Sequence, residues 1–216
     1  MLSAMIRLHW KSSRAWVLAA IAAVVALPIV SVALAWPHDS ADVASFLARL
    51  DAWSLFYPAV AGVLGAVMAG LTWRSDRRGD FVYALTLPIE RWRYVWYRFL
   101  SGAMLIASVA AALWLAALLT VATTPRAAFL HAYPTALAAK FGLATLAVFS
   151  ASFALVALPG RVRQVGARAI LALIALQALV FLLGWQGNWL VPVLEALTDR
   201  FGPLGILGGR WMLIDV

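Results

Sequence analysis

The chain contains no cysteine, which excludes a disulfide framework, a thiolate metal site and a thiol nucleophile, and leaves the redox compartment open. Charge is scarce too: 12% of the 216 residues are charged, against 65% hydrophobic. A soluble domain of this length needs a charged exterior around its core, so water is not the implied solvent. No phosphate-cradling glycine loop followed by Lys-Ser/Thr is present, which removes ATP hydrolysis by that route. His9, His38 and His131 stand far apart and no HExxH pair occurs, so no metal site is expected. The serines fit no nucleophile elbow and no carboxylate pair falls within an apolar run, so the chain does not read as an enzyme. An ionisable group at mid-membrane costs about 2.5–3.5 kcal/mol or more, and none sits near the centre of an apolar run, which removes the usual relay of an ion-coupled carrier.

What the chain does have is a series of apolar runs separated by short basic segments, the pattern of an all-α, polytopic membrane bundle. The first run, 15–36, follows Arg7, Lys11 and Arg14 and is long enough to cross the hydrocarbon core. Ala33-Leu34-Ala35 resembles a signal-peptide cleavage site, but the run exceeds the usual ~7–15 residues of such a segment. Within 1–14, Leu2, Met5, Ile6, His9 and Trp10 fall near one helical face, which suits a helix lying in the inner interface; a frayed, solvated terminus is the alternative. Pro37 to Asp51 carries three aspartates against one arginine and reads as an external loop.

A second span is expected over 55–73. Gly62, Ala66 and Gly70 recur there every four residues, a small-residue face for close helix packing, either between subunits or within one. Further spans are expected over 99–122, 135–158 and 169–185. Lys140 lies near the outer end of the fourth, able to snorkel, and Gln177 is the strongly polar residue inside the fifth. The tail, 187–216, is a poor sixth span: Leu190, Val193, Leu194, Leu197 and Phe201 favour an amphipathic helix on the outer interface, with a re-entrant segment through 201–216 as the alternative.

The net charge of +8 suggests nucleic acid at first sight, but the basic loops sit between apolar spans and no nucleic-acid partner is expected. Twelve of the 17 Lys and Arg residues fall in 1–14, 74–98 and 159–168, which are alternate loops and therefore share one face. By the positive-inside rule that face is the cytoplasm, with the N-terminus inside.

The longest polar interruption, 74–98, reads RSDRRGDFVYALTLPIERWRYVWYR. Asp76 or Asp80 can cap a short helix through Phe81-Val82-Tyr83-Ala84-Leu85, which Thr86-Leu87-Pro88 then breaks. Pro88 suits the first turn of a second helix, with Glu90 near its positive end. The aromatic and basic residues from Arg91 to Arg98 mark the inner interface. Such a broken hairpin presents a knob that fits a groove on a soluble partner; a solvated, lipid-anchored loop is the plain alternative.

The run GDFVYALTLPIERWRYVWYRFLSG resembles the cytoplasmic segment of type-2 ATP-binding-cassette exporter permeases, with Gly79, Leu85, Leu87, Pro88 and Arg91 at the matching positions. The order of elements over residues 1–185 is similar to that family as well. The resemblance implies a membrane-spanning subunit that moves substrate across a bacterial cytoplasmic (inner) membrane. A separate nucleotide-binding ATPase subunit would bind the ATP and Mg, and a second permease subunit, identical or different, would complete the route. No cofactor is implied for this chain. Gly79, Asp80, Phe81, Tyr83, Leu85, Leu87, Pro88 and Arg91 become the coupling residues, the apolar ones filling the partner groove and Arg91 pairing with partner carboxylates. Family members carry a sixth span after an outer hairpin, which this tail does not supply in readable form; it reads instead as the hairpin of a truncated member. A non-transport assembly or sensory component, whose loop binds another soluble protein, is the alternative function.

Overall fold

A computed structural model describes residues 2–35, 43–54, 56–78, 90–124, 130–158, 164–165, 172, 205–208 and 210–215. In chain order the elements are α1 (Leu2–Ala35), α2 (Val43–Ser54), α3 (Phe56–Arg78), α4 (Arg91–Thr123), β1 (His131–Ala132), α5 (Pro134–Ala157), a 3-10 turn (Gly205–Leu207) and β2 (Ile214–Asp215). Four apolar stretches are long enough to cross a membrane: Ser13–Ala35, Phe46–Arg74, Trp92–Thr123 and Pro134–Ala157. The expected fifth span, 169–185, lies outside the described residues apart from Ala172, and so does the amphipathic helix expected at 190–201.

α1 runs through the expected interfacial segment and the first span without interruption. At 1.5 Å per residue its 34 residues extend about 51 Å, longer than the roughly 30 Å that crossing a hydrocarbon core requires. Pro28 removes one N–H inside the helix and is buried; the Ser31 hydroxyl donates to the Pro28 carbonyl at 3.1 Å.

Pro37–Asp51 departs from the expected loop, because Val43–Ser54 is helical. Arg49 and Asp51 are exposed, while Phe46 and Leu50, one turn apart, are buried and the Trp53 ring packs against Phe56 at 5.0 Å. The apolar stripe was present in the sequence; the charges between its members masked it.

The chain divides into two compact units, Met1–Phe153 with Arg210–Val216, and Ala154–Gly209. In the first, the longest helix pair is α1 on α4, and α3 packs against both. Val17, Val24, Pro28, Ser31 and Ala35 form a buried stripe on α1 at three- and four-residue spacing; Leu105, Val109, Leu113, Ala116 and Thr120 form one on α4. α5 buries Leu137, Phe141, Thr145, Phe149 and Phe153, every fourth residue. β1 and β2 form an antiparallel ribbon pairing His131 with Asp215 and Ala132 with Ile214, extended by the Tyr133 N–H donating to the Leu213 carbonyl at 2.9 Å. The second unit contains the last turn of α5 and the turn at Gly205–Leu207, closed by the Gly208 N–H donating to the Gly205 carbonyl at 3.1 Å.

Candidate functional site

Glu90 has extended backbone (φ −59°, ψ 133°), so α4 begins at Arg91, later than the start after Pro88 that the sequence suggests. The Glu90 carboxylate instead pairs with Arg93 at 2.9 Å. Both groups are more than half exposed, so the pair contributes at most about 1 kcal/mol. Trp92 and Trp96, one turn apart, are 63% and 54% exposed, which suits an aromatic belt at the membrane surface.

Two residues beyond Trp96, Arg98 is only 2% exposed, although it stood among the loop cations in the sequence. Its Nε donates to the Tyr94 hydroxyl at 3.0 Å, and its Nη1 donates to the Thr72 carbonyl of α3. The guanidinium also lies over the rings of Trp73 and Tyr94, at 5.3 and 5.2 Å from their centroids. A buried charge is tolerated only when it is hydrogen-bonded, and the planar fork of arginine can hold a hydroxyl, a carbonyl and two rings at once. Tyr94 and Arg98 meet because they are four apart on one helix.

The surroundings of this cation are tight. Ser101 donates to the Arg98 carbonyl at 2.7 Å, and the Thr72 hydroxyl turns back to the Met68 carbonyl at 2.7 Å. A Cβ on Gly102 would meet Phe149 Cζ at 2.5 Å and Thr72 Oγ1 at 3.2 Å, so α4 approaches α5 closely there. The Phe99, Phe149 and Phe153 rings pack at 5.4–5.6 Å, and Trp73 packs against Phe153 at 5.1 Å. Arg98 therefore cross-braces the end of α3 to the start of α4, the two helices that flank residues 79–90. Among the described residues, no group of three or more His, Asp or Glu could hold a metal ion.

Of the sequence-predicted coupling residues, Gly79, Asp80, Phe81, Tyr83, Leu85, Leu87 and Pro88 lie outside the described residues, and Arg91 is described only as the first residue of α4. The predicted packing face on α3 is not used within the described part of the chain: a Cβ on Gly62 or Gly70 would meet nothing within 4 Å, and Ala66 is exposed. The close approach is at Gly65, where a Cβ would lie 2.7 Å from the Thr145 carbonyl and 2.9 Å from the Phe149 nitrogen of α5. Sequence reasoning missed both Gly65 and Arg98. Gly65 shares its helical face with Tyr57, Ala61 and Met68, all buried, but no spacing motif singles it out.

A second cation lies at the other end of α5. Lys140 Nζ donates to the Arg210 carbonyl at 3.0 Å and sits 4.7 Å from the centroid of Trp211, which is buried together with Leu213 and Ile214. The snorkelling expected for Lys140 thus ends on the chain's own tail.

No family model, curated protein or solved structure matches the chain.

Proposed function

We propose that this chain is the membrane-spanning subunit of an exporter driven by a separate ATPase, with residues 79–91 as the segment that the ATPase contacts. The observation that carries the proposal is the Arg98 brace. A push on a segment held between α3 and α4 reaches the bundle as one motion only if the two flanking helices are locked together where they leave it, and Arg98 locks them at Thr72. The motif resemblance over Gly79–Arg91 supplies the kind of partner.

Five spans with the N-terminus inside is the topology we favour. α5 rises about 36 Å over its 24 residues, enough for one crossing. The apolar run 169–185 is long enough in sequence for the fifth crossing. In that topology the tail and the loop before α5 would share one side, and 79–90, the N-terminus and 159–168, where the basic residues concentrate, would share the other. The exposed face of Gly62, Ala66 and Gly70 is suited to a second permease subunit.

Leu85→Asp combined with Leu87→Asp should abolish co-purification of an ATPase from detergent-solubilised membranes while the chain still inserts. ATPase recovered at the wild-type ratio would contradict the proposal.

A further inference from the structure

A cavity of about 410 Å³ lies between the end of α1 and the end of α4, lined by Ile29, Val32 and Ala33 of α1 and by Leu119, Thr120, Thr123 and Thr124 of α4. Everything that α1 contributes to it follows Pro28 in the helix. We infer that α1 bends about Pro28 between a narrower and a wider form of this cavity, with the Tyr57 hydroxyl of α3 as the latch that selects the wider one.

Pro28 supplies the hinge. A proline inside a helix offers no N–H to the carbonyl four residues before it, here Val24, and its ring crowds that carbonyl. Sharp helix bends concentrate at such places. The Ser31 hydroxyl donates to the Pro28 carbonyl at 3.1 Å, a local bond of the kind that also bends helices. The opposite wall is built alike: the Thr120, Thr123 and Thr124 hydroxyls donate to the carbonyls of Ala116, Leu119 and Thr120, so three such bonds fall in the last turns of α4.

Tyr57 supplies the second state. It is 2% exposed in the first turn of α3, yet its hydroxyl has no hydrogen-bond partner among the described residues. A buried hydroxyl is costly to leave unbonded, so an arrangement that bonds it lies close in free energy. The Ser31 hydroxyl lies beside it, outside bonding geometry, and is itself 1% exposed. Ser31 already donates to Pro28 and has lone pairs left to accept, whereas Tyr57 has a hydrogen to give. Ser31 and the cavity wall are on the same side of the hinge and move as one piece. At 3.6 residues per turn, Ser31 stands about 200° around α1 from both Ile29 and Ala33. Drawing Ser31 onto Tyr57 therefore draws the α1 wall away from α4, and closing the bond widens the cavity.

The inference stands whether or not the chain has an ATPase partner. The test uses the full chain in lipid nanodiscs; with no native cysteine, spin labels can be placed at Ala33→Cys and Leu119→Cys, one on each wall, and their separation read by pulsed electron paramagnetic resonance. Two distances are expected, the longer one belonging to the latched state. Tyr57→Phe removes the latch and keeps the ring, so the ratio of longer to shorter should fall about fivefold, the weight of one hydrogen bond. Ser31→Ala should act alike, and the double variant should go no further than either single one. Pro28→Ala should leave a single distance. Tyr57→Phe should melt no lower than the unsubstituted protein, because the hydroxyl that it removes has no partner in the arrangement described. A single distance in the unsubstituted chain, a ratio unchanged by Tyr57→Phe, fully additive effects of Tyr57→Phe and Ser31→Ala, or two distances surviving Pro28→Ala would each overturn the inference. So would a lower melting temperature in Tyr57→Phe, which would mean that the hydroxyl is bonded throughout.

Discussion

The two ends of the bundle each hold a cation against aromatic rings, but in different ways. Arg98 is buried, grips a hydroxyl and a carbonyl, and lies over two rings; Lys140 is partly open, bonds one carbonyl and lies over one ring. Arg98 joins α3 and α4 close to the segment that we propose an ATPase contacts, where motion would have to be passed on without slack. Lys140 fastens the tail to the opposite end of α5. A fork serves the rigid joint, and a flexible point charge serves the tie.

Breaking the Arg98 joint should therefore cost the most. Arg98→Ala leaves the Tyr94 hydroxyl and the Thr72 carbonyl without their guanidinium and opens a hole among the rings, so about 3–5 kcal/mol of stability should be lost, measured by unfolding in detergent. Arg98→Lys keeps the charge but not the fork and should recover only part of that loss. Full recovery would mean that charge alone matters at this end.

Next in size is the helix crossing beside the same joint. Gly65→Ala places a methyl group against the α5 backbone and should cost about 1–3 kcal/mol. Gly62→Ala, on the open face, should leave monomer stability unchanged. Any loss of self-association in Gly62→Leu, read by light scattering, would show that the open face receives a second subunit.

The Lys140 tie should be weaker. Lys140→Met should cost about 1–2 kcal/mol, through one hydrogen bond and one ring contact, and should speed proteolysis of the tail. The exposed Glu90–Arg93 pair should matter least: Glu90→Gln should change stability by less than about 0.5 kcal/mol and lose even that in high salt.

Four apolar helices were legible in the sequence as long uninterrupted runs; α5 falls within one residue of the expected 135–158, whereas α4 starts eight residues before the expected 99 and α3 runs five beyond the expected 73, because helix continues into the flanking basic and aromatic residues. α2 was not, since Arg49 and Asp51 interrupt a stripe made of only Phe46, Leu50 and Trp53. The ribbon was not, since its strands are two residues long and some 80 positions apart. Arg98 could be read only as one more interfacial cation; its burial depends on α3 ending beside Tyr94, a tertiary fact with no local signature. The spacing of Gly62, Ala66 and Gly70 marked a face for close packing, but pattern does not say which face a neighbour occupies, and among the described residues the close approach is at Gly65.

The account depends most on residues 79–90 facing the cytoplasm and the ribbon facing outward. With no native cysteine, single cysteines can be introduced one at a time and labelled with a membrane-impermeant maleimide in intact cells. Leu85→Cys should react only after the membrane is permeabilised, whereas His131→Cys should react without that treatment. Labelling of Leu85→Cys in intact cells would contradict the account, because no intracellular ATPase could then reach the segment braced by Arg98.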